Sequence, residues 1–129
     1  MFQEQIYLNR INKLKKKIKP NTLYLFSNSS HISYLTGFNF MVHSEREAFF
    51  VCSDKTSALI YTSFSPVSNF IFLEKLPGSF PNQLKKHLEK IVGKTGTKRL
   101  LFDDKTLFVN ELNAVNEITE LKTEPITSL

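Results

Sequence analysis

Three histidines, one cysteine, two adjacent aspartates and a Gly-Lys-Thr run are the parts of this chain whose side chains suit chemistry. His31, His43 and His87 are far apart, and none stands at i, i+4 from another, so none pairs on a helix face as zinc ligands do. They read as surface residues. Cys52 lies in the apolar run Ala48 to Cys52 with no histidine beside it in sequence, so a buried, inert thiol is expected. With a single cysteine no internal disulfide can form. Asp103 and Asp104 invite comparison with metal ligands, but neighbours on a strand point to opposite faces. Capping of a following helix is the expected role. Gly93 to Lys98, GKTGTK, resembles a phosphate loop, yet such a loop needs a glycine where Leu88 stands and a strand ahead of it. A helical pattern precedes it instead. Asn28-Ser29-Ser30 matches a glycosylation acceptor by chance, since Met1 to Gln5 show no basic patch followed by an apolar stretch. A cytoplasmic location is expected.

The composition fits these readings. A chain of 129 residues suits one domain, and 41% hydrophobic residues with 12 Phe suffice for one core. A charged fraction of 22% excludes a disordered polyelectrolyte. No apolar run approaches the roughly 20 residues that span a bilayer. The net charge of +5 raises the question of nucleic acid. Much of the excess sits at Lys13 to Lys19 and Lys94 to Arg99, both at the ends of helical patterns, where cations face the macrodipole. No RNP-like aromatic strand, GxxG clamp or paired Cys/His accompanies them, so a solvated face is expected and nucleic acid is argued against.

The elements that would position these residues follow from periodicity. Tyr7, Ile11, Leu14 and Ile18 form one apolar stripe on a helix that Pro20-Asn21 ends. Thr22 to Ser27 reads as a buried strand, and Asn28-Ser29-Ser30 as a turn that caps a brief helix over His31 to Leu35, ended by Gly37. Glu47 to Ser53 and Ser57 to Thr62 read as an antiparallel hairpin around Asp54-Lys55-Thr56. Asn69 to Leu76 is a further strand, ended by Pro77-Gly78. Phe80, Leu84, Leu88 and Ile91 define a second helix, opened near Pro81 and closed by Gly93. Arg99 to Phe102 is a strand, a helix carries Phe108, Leu112 and Val115, and a last strand lies over Glu120 to Thr123 ahead of Pro125. Helices interleaved with strands imply an α/β domain, a mixed sheet of about six strands covered on its faces by helices.

One stretch carries more. Ser30 to Val51 reads SHISYLTGFNFMVHSEREAFFV, a short helix ending on YLTGF, then a loop, then an Arg that opens an apolar strand. It resembles the N-terminal domain of creatinase, prolidase and the Xaa-Pro aminopeptidases. Ile32, Tyr34, Leu35, Thr36, Gly37 and Phe38 fall on that family's first motif, and Arg46, Glu47 and Ala48 on its second. The resemblance implies a ribonuclease-H-like domain over residues 1–125, with 126–129 beginning a linker to a C-terminal catalytic domain. It also implies a parent that cleaves Xaa-Pro peptides with two divalent metals (Mn, Co or Zn), held by two Asp, one His and two Glu of that other domain. No residue of this chain matches those ligands, so neither catalytic residues nor a metal is expected here. The resemblance further implies a homo-oligomer in which this domain borders a neighbouring subunit's active site, with Tyr34, Phe38, Phe40, His43 and Arg46 as the substrate-entrance or interface residues. Creatinase shares the fold without the metals, so aminopeptidase, dipeptidase and creatinase-like reactions all stay open for the parent. The contrasting reading is a stand-alone binding module that offers its basic surface to an acidic or nucleic-acid partner.

Overall fold

The computed structural model describes residues 2–38, 46–62, 74–78, 81–118 and 121–126. The stripe that begins at Tyr7 folds into helix α1 (Phe2–Lys17), which buries Ile11 and Leu14, and Ile18 is buried just past its end. Asn21 then turns the chain with φ 63°, a value Asn tolerates better than most side chains, and its carbonyl accepts from Lys98 and Arg99. That contact joins the start of β1 (Thr22–Phe26) to the start of β5 (Arg99–Phe102). Asn28 caps α2 (Ser29–Thr36), its side-chain oxygen accepting from the backbone N–H of Ser30 at 2.9 Å and His31 at 3.2 Å.

The hairpin β2 (Ala48–Cys52) and β3 (Ser57–Thr62) closes as expected, with Ser53 N–H donating to the Thr56 carbonyl at 2.8 Å. The remaining elements are β4 (Glu74–Gly78), α3 (Asn82–Thr95), α4 (Val109–Asn116) and β6 (Lys122–Pro125). The six strands form one mixed sheet in the order β4-β3-β2-β1-β5-β6. Antiparallel pairing links β1 to β2 and β2 to β3, and the other neighbours run parallel.

Alternation along the central strands divides the core in two. Phe26, Ala48, Phe50, Cys52 and Leu59 face α1 and α2. Leu23, Leu25, Phe49, Val51, Ala58 and Ile60 face α3 and α4, meeting Leu84, Leu88 and Val115. The result is a three-layer sandwich.

Four boundaries differ from the sequence-based expectation, each for a physical reason. Pro77 and Gly78 lie inside β4, and Pro125 inside β6. Both strands are sheet edges, where a missing N–H costs no ladder bond. Gly93 sits within α3, and Gly96 closes the helix in the left-handed region at φ 67°, its N–H donating to the Val92 carbonyl at 3.0 Å. A helical glycine carries only a modest penalty and does not by itself end a helix. Asp103 does not cap α4. Its carboxylate accepts from Lys105 N–H at 3.1 Å in a local turn, and α4 begins six residues later at Val109.

Candidate functional site

The YLTGF stretch is a built turn. Gly37 takes φ 77° and ψ 8°, and its N–H donates to the Ser33 carbonyl at 2.8 Å. Ser33 Oγ donates to the Phe38 carbonyl at 2.8 Å, and Thr36 Oγ1 accepts from Phe38 N–H at 3.1 Å. Thr36 Oγ1 also donates to the Ile32 carbonyl at 2.7 Å, so a buried hydroxyl is fully used. Phe38 is driven into the α1/α2 core at 1% exposure. Its neighbour in the motif, Tyr34, points outward at 58% exposure.

Arg46 is held at the other end of the motif. Its Nε donates to Glu111 Oε2 at 2.9 Å and its Nη2 to Glu111 Oε1 at 3.0 Å. Nη1 reaches the Ser27 carbonyl at 2.7 Å, and Nη2 also donates to the Thr106 carbonyl. The guanidinium lies between two rings, 4.7 Å from the centroid of Phe49 and 4.6 Å from that of Phe108. Glu111 is 2% exposed and Arg46 12%. Glu111 Oε1 accepts in addition from Phe108 N–H at 2.9 Å, which satisfies a free donor at the start of α4. One guanidinium therefore clasps the end of β1, the start of β2, the turn before α4, and α4 itself. Both faces are covered by rings and all three nitrogens donate to protein acceptors, so the group anchors the start of β2.

Of the five residues singled out in the sequence, Phe38 and Arg46 are thus held within the protein, and Tyr34 offers surface. Phe40 and His43 lie outside the described residues. Glu111 went unnoticed in the sequence. Its spacing three residues after Phe108 fits a glutamate reaching back to a helix start, which was the available signal.

Tyr34 stands on the rim of a groove between α1 and α2 of about 470 Å³. Leu14, Phe26 and Leu35 are among its apolar lining, while Arg10, Lys13 and Lys17 supply positive charge and His31 an imidazole. Arg10 Cζ lies 4.0 Å from the Tyr34 ring centroid, and Arg10 Nη1 donates to the Tyr34 carbonyl at 2.8 Å.

Among the described residues no three His, Cys, Asp or Glu are grouped to hold a metal ion. His31 lies on α2 and His87 on α3, on opposite faces of the sheet. Cys52 is buried, and that burial pushes its thiol up to about 12, so it is inert near neutrality. No helix among the described residues is long and apolar enough to cross a membrane.

No family model matches the chain, and no curated protein matches it in sequence. Solved structures do match. The creatinase/prolidase N-terminal domain of an X-Pro dipeptidase from Streptococcus pyogenes aligns over 92% of this chain and 94% of its own, at 19% identity and TM-score 0.68. An aminopeptidase P, the Xaa-Pro aminopeptidase of Streptococcus thermophilus, aligns over 97% and 93%, at 17% identity and TM-score 0.69. A Xaa-Pro dipeptidase from Bacillus anthracis aligns over 95% of this chain at 16% identity and TM-score 0.68, but the chain covers only 33% of that protein. The fold is that of a creatinase/prolidase N-terminal domain, as the YLTGF resemblance implied.

Proposed function

We propose that this chain is the non-catalytic N-terminal domain of a proline-specific metallopeptidase, a Xaa-Pro aminopeptidase or dipeptidase. The observation that carries the reading is the fold, shared over more than nine-tenths of the chain with domains of Xaa-Pro peptidases. The YLTGF turn and Arg46, two residues ahead of β2, carry the resemblance to that family's motifs. Fold alone does not fix function, so the reading rests on these motifs together with it.

The domain's own task is to associate subunits and shape the substrate entrance. Tyr34, Phe40 and His43 are the residues proposed for that border, while Phe38 and Arg46 support it from within. The divalent metals of such peptidases activate a water and polarise the peptide carbonyl. The described residues do not fit that ion pair, and its ligands are assigned to a C-terminal catalytic domain. The partners proposed are that domain, a second copy of the protein, and a Xaa-Pro peptide.

The test replaces Tyr34, Phe40 and His43 by Ala in the product of the complete reading frame. A changed oligomeric mass, or a changed kcat/KM ratio between short and long Xaa-Pro peptides, supports the assigned role. Wild-type mass and rates in all three variants would remove it.

A further inference from the structure

The basic groove between α1 and α2 is not explained by the fold. A helix-helix crease is normally filled by interlocking side chains. Here about 470 Å³ stays open, and two of the large apolar side chains exposed in the described chain, Ile6 at 47% and Tyr34 at 58%, line it. Arg10, Lys13 and Lys17 stand at i, i+3 and i+7 of α1, one face of a helix, along a line of about 10 Å. No carboxylate is among the lining residues. Helix α2 has no acidic residue, and no ion pair among the described residues involves these three cations. His31 places an imidazole on the facing wall.

Cations at a helix end are ordinarily accounted for by solvent and the macrodipole. That account covers Lys15, Lys16 and Lys17 in the last turn, but not Arg10 and Lys13, which extend the row back over the apolar crease. A concave apolar surface rimmed by one sign of charge concentrates the field and favours a ligand that is anionic and partly apolar.

We propose that this groove binds an acidic amphipathic peptide segment of a partner protein. An apolar side chain of the segment enters between Ile6 and Tyr34, and its carboxylates meet Lys13, Lys17 and the free edge of Arg10. Charge complementarity selects the acidic sequence, and the apolar lining selects a peptide over a nucleic acid. A nucleic-acid strand would need successive stacking platforms, whereas among the described lining residues Phe26 is buried, the His31 ring packs edge-on against it, and Arg10 already covers the Tyr34 ring. This site is independent of the peptidase reading and holds for any parent protein.

The experiment is a fluorescence-anisotropy titration of residues 1–129 into fluorescein-labelled Glu-Glu-Leu-Glu-Glu-Phe-Leu-Glu-Glu. The peptide lacks proline, so the outcome is separate from any Xaa-Pro activity. Binding with a Kd on the order of 10 µM is expected, weakening as salt rises. Lys13 and Lys17 are exposed, so the K13E/K17E double variant keeps the fold, and it should bind at least about tenfold more weakly. Tyr34→Ala should weaken binding as well. The same charge change on α3, K90E/K94E, should leave the peptide's affinity within about twofold, since those lysines face away from the groove. The proposal fails if the peptide does not bind below 1 mM, a limit of roughly 4 kcal/mol. It also fails if the α3 reversal weakens binding equally, or if a single-stranded oligonucleotide of equal charge binds more tightly through the same residues.

Discussion

Adding one methyl group at each of three glycines should give three different stability changes. Gly37 and Gly96 both have left-handed backbones, at φ 77° and φ 67°. An L side chain there costs about 1–2 kcal/mol by crowding the following carbonyl. Gly96 has nothing within 4 Å of an added Cβ, so Gly96→Ala should cost that amount and no more. At Gly37 the Cβ would meet the Tyr7 ring, 2.6 Å from Cε2 and 2.8 Å from Cζ. Carbon atoms rest comfortably at about 3.5–4.0 Å, so the ring must move by roughly 1 Å. Overpacking of that kind adds about 1–3 kcal/mol, giving a total of about 2–5 kcal/mol for Gly37→Ala. Gly93 is helical and open to solvent, so Gly93→Ala should stabilise by about 0.5–1 kcal/mol. At this chain length each kcal/mol shifts Tm by roughly 3–5 °C, well within reach of a circular-dichroism melt. Tyr7→Ala separates the clash from the backbone term. In its background Gly37→Ala should cost no more than Gly96→Ala does. Equal melting temperatures for Gly37→Ala and Gly96→Ala in the wild-type background would refute the contact between the turn and α1.

Other consequences follow from the buried groups. Glu111→Ala strands the Arg46 guanidinium and should cost about 3–5 kcal/mol in urea unfolding, and Arg46→Lys, with Glu111 kept, should also destabilise because an ammonium lacks the fork. A loss below about 1 kcal/mol would mean the clasp is solvated. Cys52 should resist iodoacetamide at pH 8 in the folded protein and react roughly a thousandfold faster once unfolded. Because its folded pKa is raised from 9.0 to about 12, its contribution is intact below pH 9 and is lost as pH rises from 9 towards 12. Cys52→Ala should therefore flatten the alkaline fall in stability, and an unchanged pH profile would contradict the burial argument.

Much of this was legible in the sequence because local rules and tertiary packing agreed. The α1 stripe, the Asn28 cap, the Gly37 turn and the 53–56 hairpin each follow from spacing and residue type, and each is where it was expected. The misplaced boundaries involve residues whose meaning depends on neighbours distant in sequence. Pro77 and Pro125 break a strand only if that strand is central, and nothing local says which strands are edges. Gly93 and Gly96 lie three residues apart, and either could have ended α3. The Arg46–Glu111 pair spans 65 residues, so no window in the sequence contains it. The groove is hidden for a similar reason. Lys13 and Lys17 read as a solvated helix end until α2 is laid beside them, and only then do they border an apolar crease.

The central claim is that this domain serves a proline-specific metallopeptidase without carrying its chemistry. The most direct measurement is proline release from a Xaa-Pro dipeptide with added manganese or cobalt, run on residues 1–129 and on the product of the complete reading frame. The account predicts release by the complete product that is abolished by chelation, and none by residues 1–129. Metal-dependent release by residues 1–129 alone, or no release by the complete product with either metal, would contradict it.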